Sequence, residues 1–178
     1  MSEPQTNPRL TTFIANLQRL DAGDRARLKH SAGRPLNEAT QCLGLFYRLL
    51  PYGGVAPTQE PIYWLVAAMF PLADATGKGS FGDALCRARS PRYRKGLDRR
   101  VEALLDSDSA QLPHRLAQVV RFLHSQRVPV NWRSLLEDLL QWEHPNRFVQ
   151  KKWARAYFSL PLQPEPSTIL PITFEEAD

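Results

Sequence analysis

The chain has 178 residues, of which 43% are apolar and 23% charged, and it carries a formal net charge of +5. That length and apolar content support one domain, or two helical halves sharing a core, and exclude a wholly disordered chain. No apolar run approaches the ~18 residues of a membrane-spanning helix. The polar start MSEPQTNPRL is not a secretory signal, so a cytoplasmic protein with no membrane partner is expected.

Asn7 and Pro8 form a cap and first-turn pair, and Leu10, Phe13, Ile14, Leu17 and Leu20 follow at helical spacing to about Asp21. A short basic helix lies in GDRARLKHSAG, with Arg25, Arg27, Lys29 and His30, and Gly33 closes it. Asn37 is the expected cap of a third helix, whose Ala39, Leu43, Phe46, Leu49 and Leu50 turn inward until Pro51. PYGGVAPTQEP reads as a loop. Pro61 then opens IYWLVAAMF, nearly all apolar and so the expected most buried element.

The stretch from Phe81 to Leu105 is the most basic. Between Arg87 and Arg100, seven cations (Arg87, Arg89, Arg92, Arg94, Lys95, Arg99, Arg100) face one acid, Asp98. Tyr93, Leu97, Val101 and Leu104 recur at helical spacing, while Arg92, Lys95 and Arg99 line a neighbouring strip. One helix can therefore bury an aliphatic side and show a cationic side to solvent, which suits a polyanion.

Three helices follow. DSDSAQLP supplies a capping acid or serine with Pro113 in the first turn, and Leu116, Val119, Val120 and Leu123 continue inward, leaving Arg115 and Arg121 off the stripe. Asn131 caps a helix with Trp132, Leu135, Leu136, Leu139 and Leu140 inside. The last helix starts near Pro145, with Phe148, Trp153 and Tyr157 inward and Arg147, Lys151 and Arg155 along another face beside Lys152. No segment alternates as a strand does, so the fold expected is all-α, a compact bundle of about eight or nine short helices over residues 1–158. Residues 159–178 carry four acids, four prolines and no base, and read as an extended or disordered tail; without them the body is about +9.

The chemistry expected is binding. His30, His114, His124 and His144 lack metal-ligand spacing, and Glu137–Asp138 and Asp106–Asp108 read as solvated surface and capping groups. Gly77-Lys78-Gly79-Ser80 lacks the spacer of a phosphate loop. Cys42 and Cys86 read as buried reduced thiols. Neither catalytic residues nor a cofactor or metal is expected. Arginines outnumber lysines 18 to 5, which suits forked contact with phosphate oxygens. Trp132, Trp142 and Trp153 fall on or beside apolar stripes and read as core. With no base-reading helix, binding should follow the nucleic-acid backbone.

LDAGDRARLKHSAG, LFYRLLP, WLVAAMFPL, SFGDAL, LDRRVEALL, PVNWRSLLEDLLQW and KKWARAYF occur in order between about residues 16 and 158. Together they resemble the CasB family, the small subunit of the type I-E CRISPR surveillance complex Cascade. The resemblance implies an all-helical, non-nuclease protein, present as two copies beside the crRNA-bearing subunits and bridging toward the large subunit. It implies that the protein stabilises the R-loop by holding the target and displaced DNA strands. In the matching motifs the cations are Arg27, Lys29, Arg99 and Arg100. Arg87, Arg115, Arg121, Lys151, Lys152 and Arg155 complete the expected nucleic-acid-binding set, while the loop after Pro71 offers only Lys78. The competing readings are a helical adaptor whose basic faces meet acidic proteins, and a free-standing helix-turn-helix regulator.

Overall fold

The computed structural model describes residues 7–159, so the expectation for the acidic tail lies, beyond Ser159, outside the described residues. The Asn7 side chain accepts from the Arg9 amide and Pro8 fills the first turn, which starts α1 (Pro8–Gln18). Asp21 caps α2 (Ala22–His30) by accepting from the Asp24 amide. Gly33 follows with φ of +88°, a backbone that an L side chain rarely adopts. A 3₁₀ turn at Leu36–Glu38 leads to α3 (Leu43–Leu49), and α4 (Glu60–Met69) runs into a second such turn at Phe70–Leu72. Then come α5 (Phe81–Arg87), α6 (Arg94–Leu105), α7 (Leu112–Ser125), α8 (Trp132–Leu139) and α9 (Phe148–Phe158). The described residues contain nine α-helices and no strand, as the periodicity predicts.

α4 is the axis of the packing. Every residue from Tyr63 to Met69 is buried, and the helix touches α2, α7 and α8. Each large apolar side chain taken fully out of water contributes about 1.5–3 kcal/mol, so a helix buried on all sides anchors its neighbours. Around it α1 meets α3 and α8, α6 lies on α7, and α5 lies on α9. The buried residues of all nine helices join in one cluster. Trp132, Trp142 and Trp153 belong to it, as expected; Cys42 is a buried free thiol, but Cys86 is only half-buried.

Gly82 sets the spacing of α5 on α9. A Cβ there would stand 2.8 Å from the Ala156 Cβ and 2.9 Å from the Trp153 Cα. Only the missing side chain lets the two helices come this close. Ser80 and Asp83 form a reciprocal capping box at the start of α5, and those hydrogen bonds hold the Asp83 carboxyl below its ordinary pKa.

Three of the expected helix boundaries need correction. Asn37 does not cap the third helix: it lies in the 3₁₀ turn, and α3 starts only at Leu43, after Gln41 takes a left-handed φ of 66°. Leu43 is consequently exposed and Leu45 takes the inner place. The basic stretch is two helices rather than one, broken where Pro91 removes an amide donor and disfavours helical backbone at Ser90. The last helix begins three residues past Pro145, after a left-handed Arg147, so Phe148 points out while Val149 and Gln150 join Trp153 and Tyr157 inside.

Candidate nucleic-acid interface

On α6, Leu97, Val101 and Leu104 are fully buried. The same twelve residues place Lys95, Arg99 and Arg100 in solvent, and none of the three makes an ion pair among the described residues. Arg94 alone is paired, 3.5 Å from Asp98. The aliphatic and cationic sides expected of this segment are thus both present.

Where α6 meets α7, cations alternate with rings. The Arg92 guanidinium lies 5.2 Å from the Tyr93 ring centre, Tyr93 meets Phe122 edge-on at 6.0 Å, and Arg100 lies 5.4 Å over Phe122. Tyr93 is therefore not the buried rung expected: it caps α6 at its N-terminus and stays 38% exposed. Sequence reasoning missed Phe122, which stands off the α7 apolar stripe directly after Arg121; that departure was the available signal. Guanidinium planes beside exposed rings can meet phosphates and stacked bases alike. Half-buried Arg115 precedes Phe122 by seven residues, two turns along the same side of α7. Arg121 lies on another side, where it donates to the Ala32 carbonyl at 3.4 Å and ties α7 to the turn after α2. Lys29 is exposed on α2, and its carbonyl accepts from the Ala32 amide in that turn.

A second cationic surface follows α5 and α9. Lys151 and Arg155 are exposed one turn apart and make no ion pair among the described residues. Arg87, also exposed, donates to the Lys78 carbonyl at 3.0 Å. Two contacts connect this surface to the start of α6. Arg89 donates to the Tyr157 carbonyl at 3.3 Å with its guanidinium beside the Tyr157 ring, and the Tyr157 hydroxyl donates to Asp98 at 2.6 Å. Burial, and then the bond to Asp98, push the Tyr157 hydroxyl far above its ordinary pKa.

Two of the ten expected cations are held by carboxylates within the chain. Arg27 pairs with Asp24 at 3.0 Å and donates to the Gln41 carbonyl, clamping the turn before α3. Lys152 is held by Asp138, which also accepts from the Trp153 indole at 2.7 Å. Asp138 is buried, so it is not the solvated acid expected; Glu137 beside it is exposed. A carboxylate in an apolar interior requires such partners.

The described residues hold no group of three or more His, Cys, Asp or Glu placed for a metal ion, and no helix long and apolar enough to cross a membrane. A cleft of about 260 Å³ opens beside α4, walled mainly by apolar side chains such as Leu36, Ile62, Leu112 and Leu140.

A family model described as CRISPR-associated protein Cse2 matches residues 24–158. The CRISPR-associated protein Cse2 of Thermus thermophilus is 32% identical over 124 residues, which span 65% of this chain and 70% of the relative. The crystal structure of CasB from M. ruber superposes with a TM-score of 0.70 at 29% identity, covering 85% of this chain and 93% of that one. A chain of a CRISPR RNA-guided surveillance complex shares the fold at a TM-score of 0.69 and 20% identity, covering 83% of this chain and 92% of that one.

Proposed function

Since the chain belongs to the CRISPR-associated Cse2 family, also called CasB, we propose that it is a non-catalytic subunit of an RNA-guided DNA surveillance complex, stabilising the R-loop through backbone contacts. Its partners on this reading are the other Cascade subunits with their crRNA, the target and displaced DNA strands, and a second copy of itself. The observation that carries the reading is α6, with Leu97, Val101 and Leu104 fully buried and Lys95, Arg99 and Arg100 left in solvent beside the Tyr93–Phe122 rings.

The physical logic is a division of labour. Guide pairing carries sequence, and replacing one duplex by another of similar stability leaves a small balance that protein–backbone contacts can tip. Cations on α6 and α9 supply such contacts without reading bases. Complexes lacking this subunit, or carrying Arg99→Ala with Arg100→Ala, should keep guide RNA but yield fewer R-loops on matched DNA at near-physiological salt. Equal yields in all three complexes would sink the reading.

One observation favours a protein contact away from the basic faces. Leu43 and Tyr47, one turn apart on α3, are both nearly half exposed, and Tyr52 in the next loop is fully exposed. On our reading this patch meets a neighbouring protein subunit, so substitutions there should weaken assembly and leave oligonucleotide binding by the free chain unchanged.

A further inference from the structure

The described chain ends at Ser159, the C-terminal cap of α9, and the residues just before it touch the most basic part of the molecule. Tyr157 gives its carbonyl to Arg89 and its hydroxyl to Asp98, so the exit of α9 stands against the link between α5 and α6. Arg155 and Lys151 lie exposed one and two turns back along α9, and Lys95 and Arg99 are exposed on the adjoining helix. The sequence that continues from this point is LPLQPEPSTILPITFEEAD, with Glu165, Glu175, Glu176 and Asp178 and no base. Glu165 is six residues beyond Ser159. Extended chain covers ~3.3 Å per residue, a reach of about 20 Å, and the eleven residues of α9 rise only about 16 Å.

We propose that residues 160–178 dock on their own chain, laying their carboxylates across Lys95, Arg99, Lys151 and Arg155, and compete there with nucleic-acid backbone. The competition rests on the nucleic-acid reading above; the docking does not. Tethering raises the local concentration of the segment to the order of 1 mM, so carboxylates that bind weakly when free can occupy the surface for much of the time. A polyanion with many closely spaced charges displaces them because it fills more of the same cations at once. The free subunit is then partly shielded from non-specific nucleic acid, and the shield yields where guide and target strands are presented together.

The test uses the full chain and a full-length variant with Glu165→Gln, Glu175→Gln, Glu176→Gln and Asp178→Asn. A carbodiimide links adjacent carboxylates and amines, and mass spectrometry locates the links; mixing isotope-labelled and unlabelled chains separates links within a chain from links between chains. Within one chain, tail acids should join Lys95 or Lys151, and these links should vanish with excess single-stranded oligonucleotide. The variant should bind that oligonucleotide about three- to tenfold more tightly at low salt. The gap should close near 1 M salt, where screening acts within about 3 Å.

Links only to Lys29 or Lys78, links only between chains, or no tail links at all would overturn the docking. Intramolecular links that survive saturating oligonucleotide, or equal affinities of the two proteins, would overturn the competition. If neither protein binds oligonucleotide while the links to Lys95 or Lys151 form, the nucleic-acid reading fails and the docking stands.

Discussion

Lys152 places its ammonium on the buried carboxylate of Asp138, fourteen residues earlier and on another helix, while Lys151 beside it faces solvent. The two lysines therefore do different work. Lys152→Glu sets a second carboxylate against one that is already buried, and should lower stability by about 2 kcal/mol, less than for a fully buried pair because the lysine side chain is 44% exposed. Lys151→Glu and Arg155→Glu should stay near wild type in thermal unfolding, which is the measurement that separates them. A basic-face experiment that changes all three residues together would mix folding with binding.

The Gly82 contact gives a sharper steric test. Gly82→Ala puts a methyl group 2.8 Å from the Ala156 Cβ, so α5 must lift from α9 at a cost of about 1–3 kcal/mol. Gly96→Ala on α6 makes the opposite prediction. The nearest atom to its new Cβ is the mobile Arg100 guanidinium at 3.6 Å, and helix propensity should raise stability by about 0.5–1 kcal/mol. Denaturant midpoints moving in the same direction for both variants would contradict this packing.

Tyr157 should betray itself at high pH. Burial and the bond to Asp98 raise its folded pKa, so the folded state keeps a proton that the unfolded chain releases at about pH 10. The stabilisation is thus fully present below pH 10 and is lost as pH rises above it, by up to about 1.4 kcal/mol per pH unit. Tyr157→Phe lacks this dependence. Its unfolding free energy should be lower than wild type at pH 8, and the difference should shrink between pH 10 and 11.

Most helices were legible because their signals are local. Asn7–Pro8, Asn131 and the four-residue recurrences of α7 and α8 need no tertiary information, and α4 announces itself by lacking a polar face. The failures arose where backbone sign or a distant partner decides. The left-handed Gln41 and Arg147 each move a helix start and turn Leu43 and Phe148 outward, and neither position is a glycine that would mark it. Asp138 looks like any surface acid until α9 brings Lys152 and Trp153 to it. The same holds for the candidate interface. Basic density was readable, but the division between cations in solvent and cations used internally was not, since the Gln41 carbonyl claims Arg27 only after α2 meets the turn before α3.

That division yields the last prediction. Arg99 and Arg100 make no ion pair among the described residues, whereas Arg27 is held by a carboxylate and a carbonyl. Each phosphate contact removed should lower the slope of log affinity against log salt by about 0.9 on duplex DNA and about 0.7 on a single strand. Arg99→Ala with Arg100→Ala should therefore reduce the slope by up to twice that value, with thermal stability close to wild type because Leu97, Val101 and Leu104 remain packed. Arg27→Ala should do the reverse: an unchanged slope, and a small loss of stability as the turn at Gln41 loosens. Titrations of one fluorescent oligonucleotide at four or five salt concentrations decide between them. A slope lowered by Arg27→Ala and untouched by the double variant would move the binding surface from α6 to α2.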